Sequence, residues 1–477
     1  MEFIELADYP LPTGWITEWQ PISRTYWADW PRDSRAVSYN HLGHLRDALD
    51  HSRIRTPRHS WLGHVFRIEE RLDADAWRAA LDSWVDGHDA LRSHVTIEGG
   101  QPVRYTAPPG NIRMRAVDIG RTKSMMRTYR LVHRLLDEST SPLRWPAHLC
   151  ITIAEPEAFT VVLAADHSII DGYSTVAVGD QLRAHYAAQR TGASAKVTNS
   201  GSYLDFSQIE RERAAATTAD HPGVRAWRDF LTADHGDAES VGGPLNQVIT
   251  RPCVLSGPGG TPSPGPQRGL AIEVLDAAGC AAAEAAARAQ GQPFAAVLLA
   301  AFAAAATEFG AEQNFRTVIP MHTRDEPRWQ DSLGWYVGLA PFRLACAGVG
   351  AMAELVTAAG AELRRVRGSA AVPFGRVCEL TGLRPRISFM VSYMDLRALT
   401  AHNWADSGTR WLRSRNSSPE EFYFWFVRMP TGVTLSMRYP ATAAATHDTH
   451  RHVLRLRDIL AEYARTGDVA LRTIERV

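Results

Sequence analysis

Lysine is almost absent from this chain of 477 residues: Lys123 and Lys196 are the only two, and arginine supplies every other basic side chain apart from histidine. Lysine and arginine together number 52, as do aspartate and glutamate, so there is no excess of either charge. That balance lacks the broad basic surface on which nucleic-acid binding depends, and no nucleic-acid partner is expected. Arginine does offer planar, bidentate hydrogen bonds to phosphate, so a local cluster would suit a phosphopantetheine arm or an acidic carrier protein. Most such clusters are simply solvated faces.

Cysteine is also scarce. The five residues, at 150, 253, 280, 346 and 378, are odd in number and show no C-x-x-C spacing, which points away from a disulfide framework and from a zinc site. Long apolar runs are missing, since the longest lies in an alanine-rich region rather than in a convincing membrane span. The N-terminus, Met1-Glu2-Phe3-Ile4-Glu5, has neither the basic start nor the apolar run of a signal peptide, so the expected location is the cytosol. No G-x-S-x-G elbow and no P-loop occurs, which argues against a serine hydrolase and against direct use of ATP.

What is present is an ordinary globular composition, 45% apolar and 22% charged, in a chain too long for one core. Between about 232 and 268 the composition shifts to Gly, Pro and Ser, including Gly257-Pro-Gly-Gly-Thr-Pro-Ser-Pro-Gly-Pro. The expected organisation is therefore a first half over 1–232, a linker or exposed loop over 233–268, and a second half over 269–477. The first 45 residues carry Trp15, Trp19, Trp27 and Trp30, an aromatic segment expected to pack on a domain. Trp61 to Glu69 has strand character, and Asp73 to Val85 has helical spacing with Asp73 or Asp75 as its cap, ending near Gly87. In the second half a strand is expected from Leu270, helices over 277–289 and 293–309, and strands at Phe389 to Tyr393 and Val433 to Tyr439.

One segment carries chemistry. Leu149 to Ala154 and Phe159 to Ala165 read as a hairpin whose second strand runs into Asp166-His167-Ser168-Ile169-Ile170-Asp171-Gly172, and a helical pattern follows from Ser174. A histidine at a strand end, titrating near neutrality, is suited to deprotonate an alcohol or amine. Asp171 can hold the loop through a salt bridge to an arginine, Gly172 permits close backbone approach, and the helix N-terminus favours developing negative charge. Ser174 is an additional hydroxyl donor. The same residues also admit a purely structural role, with His167 satisfying backbone groups and Asp171 capping the helix.

These residues resemble the H-H-x-x-x-D-G signature of the condensation-domain superfamily, which includes chloramphenicol acetyltransferase, peptide-synthetase condensation domains and polyketide-associated acyltransferases. Trp84 to Arg92 resembles the early H-x-x-L-R element, and Ala226 to Leu231 the helix closing the first half. Val318 to Arg324 resembles the strand ending in an arginine. Gly334-Trp335-Tyr336-Val337-Gly338-Leu339-Ala340-Pro341 is similar to the G-W-x-x-G-L-x-P form of the polyketide-associated branch, as is Val391 to Asp395. Two positions depart from the wider pattern: Asp166 replaces the first histidine, and Gly338 replaces an asparagine, which argues against an ordinary peptide-bond-forming module.

The resemblance implies an α/β fold of two chloramphenicol-acetyltransferase-like sandwich halves, a V-shaped pseudo-dimer with a central tunnel. It implies His167 as general base, with Asp171 and Gly172 in the catalytic motif, Arg324 as partner of Asp171, and Trp335 and Tyr393 lining the tunnel; the alternatives are a surface charge at a strand end for Arg324 and core packing, the commoner role in such strands, for the two aromatics. The region Trp404 to Trp425 is implied to cross from the second half onto the first. No bound cofactor is expected; the donor would be a thioester of CoA or of an acyl carrier protein's phosphopantetheine, and the acceptor a small molecule or lipid. A monomer would suffice. A standalone amide-forming enzyme and a catalytically silent, carrier-recruiting module remain the alternatives.

Overall fold

The computed structural model describes residues 3–53, 59–193, 201–232, 248–249, 267–309, 314–399, 408–416, 418 and 420–471. The linker expected over 233–268 lies outside the described residues except for Val248–Ile249, Gln267 and Arg268.

The first half is built on a seven-stranded sheet in the order Phe3–Glu5, Arg410–Arg413, Trp61–Ile68, Phe159–Asp166, His148–Ala154, Trp15–Ser23, Ile112–Arg121. The strand Phe159–Asp166 is buried along its whole length, and its alternation assigns side chains to two cores. Phe159, Val161, Leu163 and Ala165 join the core under the helices Ala74–Gly87 and Gly172–Thr191. Val162 and Ala164 face Val132 and Leu136 of the helix Met125–Ser139 on the other side. Covered on both faces, this strand can be continuously apolar. Asp73 caps the helix that begins at Ala74, accepting from the Ala76 N–H at 3.0 Å.

The second half carries a six-stranded sheet in the order Gln267–Asp276, Gly432–Pro440, Phe422–Met429, Phe389–Asp395, Asn314–His322, Val337–Ala345. The helices Ala277–Ala289, Phe294–Glu308, Met352–Val366 and Ala443–Thr466 pack into its core. Phe294–Glu308 is apolar around its circumference because it is enclosed: its residues from Ala296 to Thr307 are all buried. Among the described residues no single helix is long and apolar enough to cross a membrane.

The halves are interlocked. Arg410–Arg413, from the second half of the chain, lies in the first half's sheet, parallel to Phe3–Glu5 and antiparallel to Trp61–Ile68. In return the Ser436 hydroxyl, from the second sheet, donates to the Phe3 carbonyl at 2.9 Å. Of the segment 404–425 implied to cross over, residues 404–407, 417 and 419 lie outside the described residues.

Candidate active site

His167 follows directly on the strand Phe159–Asp166, and its backbone N–H donates to the Ser60 carbonyl at 3.0 Å. Its ring Nδ1 lies 2.8 Å from the carbonyl oxygen of Ile170. A carbonyl only accepts, so Nδ1 carries the proton and Nε2 is left as the basic nitrogen. Burial above all, followed by the nearby His44, lowers the His167 pKa and favours the neutral ring. The indole of Trp335, from the second half, stacks on this ring with centroids 4.0 Å apart and planes 23° apart.

Asp171 points away from this ring into a buried latch. Its Oδ1 accepts from the Ser174 N–H at 2.7 Å, capping the helix Gly172–Thr191, and its Oδ2 accepts from the Tyr336 N–H at 2.9 Å. Arg324 closes on both oxygens, at 3.1 and 3.2 Å. The same guanidinium donates to the Ser174 hydroxyl at 2.7 Å and to the Ser332 carbonyl at 3.1 Å, and lies 4.1 Å over the Tyr336 ring. Each carboxylate oxygen thus accepts from one backbone N–H and from the guanidinium, which is what makes a buried ion pair tolerable, and of the guanidinium only Nε is left without a partner among the described residues. Ser174 belongs to this latch: its hydroxyl also lies 3.1 Å from the Gly334 carbonyl.

Two glycines are fixed by close approach. A Cβ on Gly334 would stand 2.3 Å from the Tyr203 ring, and one on Gly338 would stand 1.9 Å from the Ala370 carbonyl oxygen. The glycine at 338 therefore has a local steric cause, since the backbone of 367–371 occupies the space where an asparagine side chain would begin. Gly172 is less confined, with Met394 Sδ at 3.3 Å from the same constructed position.

Asp166 is the centre of a cluster that sequence reasoning did not find. Its fully buried carboxylate accepts from the Ser60 hydroxyl at 2.8 Å and the Ser168 N–H at 2.9 Å, and lies 3.1 Å from His44 Nε2. Burial alone would raise its pKa, but His44 and these hydrogen bonds outweigh it and hold the carboxyl down to about 2. His44 comes from the helix Tyr39–Arg53 and meets the edge of Trp335 at 5.7 Å. The only signal in the sequence was the acid itself, since a buried carboxylate needs donors.

Tyr393 does not join these residues. Alternation along Phe389–Asp395 turns Phe389, Val391 and Tyr393 toward the helix-covered core, where Tyr393 meets the edge of Phe294 and its hydroxyl lies 3.3 Å from Asp395. Met394, one residue on, is the side chain that reaches Gly172. Tyr393 thus takes the core-packing alternative of the sequence reading.

Two α/β lobes that share a strand and meet at a histidine loop define the two-lobed fold of chloramphenicol acetyltransferase and its relatives. The condensation-domain family model matches residues 51–221 and 270–477, and the chain belongs to that family. The structure is similar to that of PapA2 acyl transferase, with TM-score 0.86 and 22% identity, covering 97% of this chain and 100% of that one. It is also similar to a variant of the starter condensation domain of rhizomide synthetase RzmA, solved in complex with C8-CoA and Leu-SNAC (TM-score 0.65, 14% identity, 91% and 94% covered). In sequence it is 27% identical over 359 residues to 2'-acyl-2-O-sulfo-trehalose (hydroxy)phthioceranyltransferase PapA1 of Mycobacterium tuberculosis. That match covers 73% of this chain and 64% of the relative, so the chain spans less than two thirds of it.

Proposed function

We propose that this protein is a thioester-dependent acyltransferase in which His167 is the general base. One observation carries the reading: Nδ1 is tied to the Ile170 carbonyl, which orients Nε2 as the basic nitrogen of a ring stacked between the halves. An acceptor hydroxyl or amine gives its proton to Nε2 as its oxygen or nitrogen attacks the thioester carbonyl carbon. The tetrahedral oxyanion then collapses, the C–S bond breaks, and the imidazolium returns the proton to the departing thiolate. No acyl-enzyme forms. The N-terminus of the helix Gly172–Thr191 supplies positive potential for the oxyanion.

Asp171, Arg324 and Ser174 act as positioning residues that hold the loop across the seam, Gly172 starts the helix, and Trp335 forms one wall of the channel. The printed names of the relatives support a CoA or carrier-protein thioester as donor and a hydroxyl-bearing lipid or natural-product acceptor. Both halves of the site come from one chain, which supports action as a monomer.

The test is mass spectrometry of purified protein with acyl-CoA and acyl-carrier donors and a panel of alcohols and amines. Transfer is expected, and His167→Ala is expected to reduce it by about 10²–10⁴-fold with an unchanged melting temperature. Undiminished turnover in folded His167→Ala would overturn the role of His167. Tight carrier binding with no transfer would favour the silent module.

A further inference from the structure

Behind the helix Tyr39–Arg53 lies a cleft of about 660 Å³ lined by Arg32, Arg35, Arg46, Arg104 and Arg211, with only Asp33 and Glu379 as carboxylates. Three of the five guanidinium groups have partners. Arg35 is held by Asp33, Asp89 and Asp205, and Arg32 by Glu98. Arg211 donates to the Val37 carbonyl and stacks 3.7 Å from the Tyr39 ring centroid.

Arg46 and Arg104 are different: the side chain of neither makes a hydrogen bond or ion pair with a described residue. Arg46 is exposed, but Arg104 is only 3% exposed and leaves Nε and Nη1 without a partner. Burial pulls its pKa down to about 10, against the opposing influence of Tyr203, Asp33 and Asp89. A buried guanidinium is normally satisfied by a carboxylate or phosphate placed on its planar fork. Among the described residues no carboxylate hydrogen-bonds it, although Asp33 and Asp89 act on it at longer range, and an anion is the occupant that two unpaired guanidinium groups favour.

The cleft is tied to the reaction centre by the helix between them. Leu42 and Arg46 line the cleft, while His44 on the same helix reaches Asp166 beside His167. His41, buried within that helix, feels the charges of both Arg104 and Asp166. Asn40 donates to the Val337 carbonyl at 2.6 Å and the Tyr39 hydroxyl to Glu379 at 3.0 Å, so the cleft sits at the seam of the two halves. A helix diameter of about 10 Å separates the anion-seeking groups from the proposed base.

We propose that this cleft binds a phosphate or sulfate ester carried by one of the substrates, with Arg46 and Arg104 as its principal ligands. The word substrate rests on the acyl-transfer reading; the anion site does not. Isothermal titration of the full chain with potassium sulfate and phosphate, against chloride at equal ionic strength, is expected to show saturable binding. Arg46→Gln is expected to weaken it at least tenfold without changing the melting temperature of the free protein. Arg104→Gln should abolish it, and if that buried variant fails to fold, Arg46→Gln alone decides.

Two further arms identify the source. Tighter binding of adenosine 3',5'-bisphosphate than of adenosine 5'-monophosphate assigns the site to the 3'-phosphate of a CoA donor. Tighter binding of glucose 6-sulfate than of inorganic sulfate assigns it to a sulfated acceptor. No saturable binding, or binding indifferent to both arginine variants, overturns the site; esters no better than inorganic ions overturn its assignment to a substrate. Because anion binding is read without turnover, His167→Ala should retain it, and failure of the catalytic reading leaves this one standing.

Discussion

Beneath the first sheet the core is built on Trp19, Trp77, Trp84 and Trp329, whereas beneath the second it is alanine and phenylalanine, with Phe302 ringed by Phe315, Phe389, Phe424 and Phe426. The polar content differs as sharply. His41, His64, His88, His94, His148 and His185 are all buried in the first half, while among the described residues only His452 is buried in the second. Large rings with polar edges tolerate irregular, partly polar surroundings, and the first half also holds the buried Asp166 and Asp171. The second half carries His452 under its sheet, its ring centroid 4.3 Å from that of Phe302, and presents Trp335 and Arg324 to the motif. The half that holds the proposed base is thus the one whose interior responds more strongly to protons.

The largest expected consequence is acid sensitivity of one half. Burial lowers the pKa of His41 to about 3 and those of His64, His88, His94 and His148 to about 4. With folded values below the ordinary value of 6.5, the unfolded chain takes up protons first, so stability present above pH 6.5 is lost as pH falls toward 4. Burial lowers His133, His167 and His185 of the first half as well, against His322 and His452 of the second, so the first half is expected to open before the second. Tryptophan fluorescence should fall before far-UV ellipticity on acid titration; coincident transitions would break the comparison.

A smaller effect probes the seam. Removing one partner of the latch, by Arg324→Ala, leaves the Asp171 carboxylate buried beside backbone N–H groups alone. A loss of about 3–5 kcal/mol in denaturant unfolding is expected, together with lost transfer activity. Retained stability would mean that the halves are held together elsewhere.

Next in size is Gly338→Asn, which restores the residue common in the wider family. The new Cβ meets the Ala370 carbonyl, and a destabilisation of about 1–3 kcal/mol is expected from overpacking of this kind. A neutral change in chemical denaturation would show that 367–371 yields easily.

The smallest effect separates a pair within the first half from the pair across the seam. His44→Ala removes one of three partners of Asp166, which keeps Ser60 and Ser168, so about 1 kcal/mol of positioning is lost. Roughly fivefold slower transfer is expected in steady-state kinetics; a loss as large as that of His167→Ala would place His44 in the chemistry itself.

Much of the fold was legible because local patterns and tertiary burial agree. The hairpin running into Asp166, the capped helix after Asp73 and the helix pair on either side of 290 follow from apolar spacing and cap residues. What remained hidden was long-range. His44 and Ser60 reach Asp166 from 122 and 106 residues away, and no local pattern records that meeting. Which of its two readings Tyr393 would take stayed open because a run of strand-forming residues does not disclose which parity faces the seam. The steric reason for Gly338 lay in the backbone of Ala370, which has no trace in side-chain chemistry.

The strand Arg410–Arg413 carries one more implication. Lobes that merely touched could swing apart like jaws to admit a bulky acyl chain. Here the second lobe is stitched into the first by a ladder on both edges of a four-residue strand, so a wide gape would require unzipping that sheet. For the proposed acyl transfer, that stitching favours entry by threading between lobes held at one spacing over a swing about a hinge.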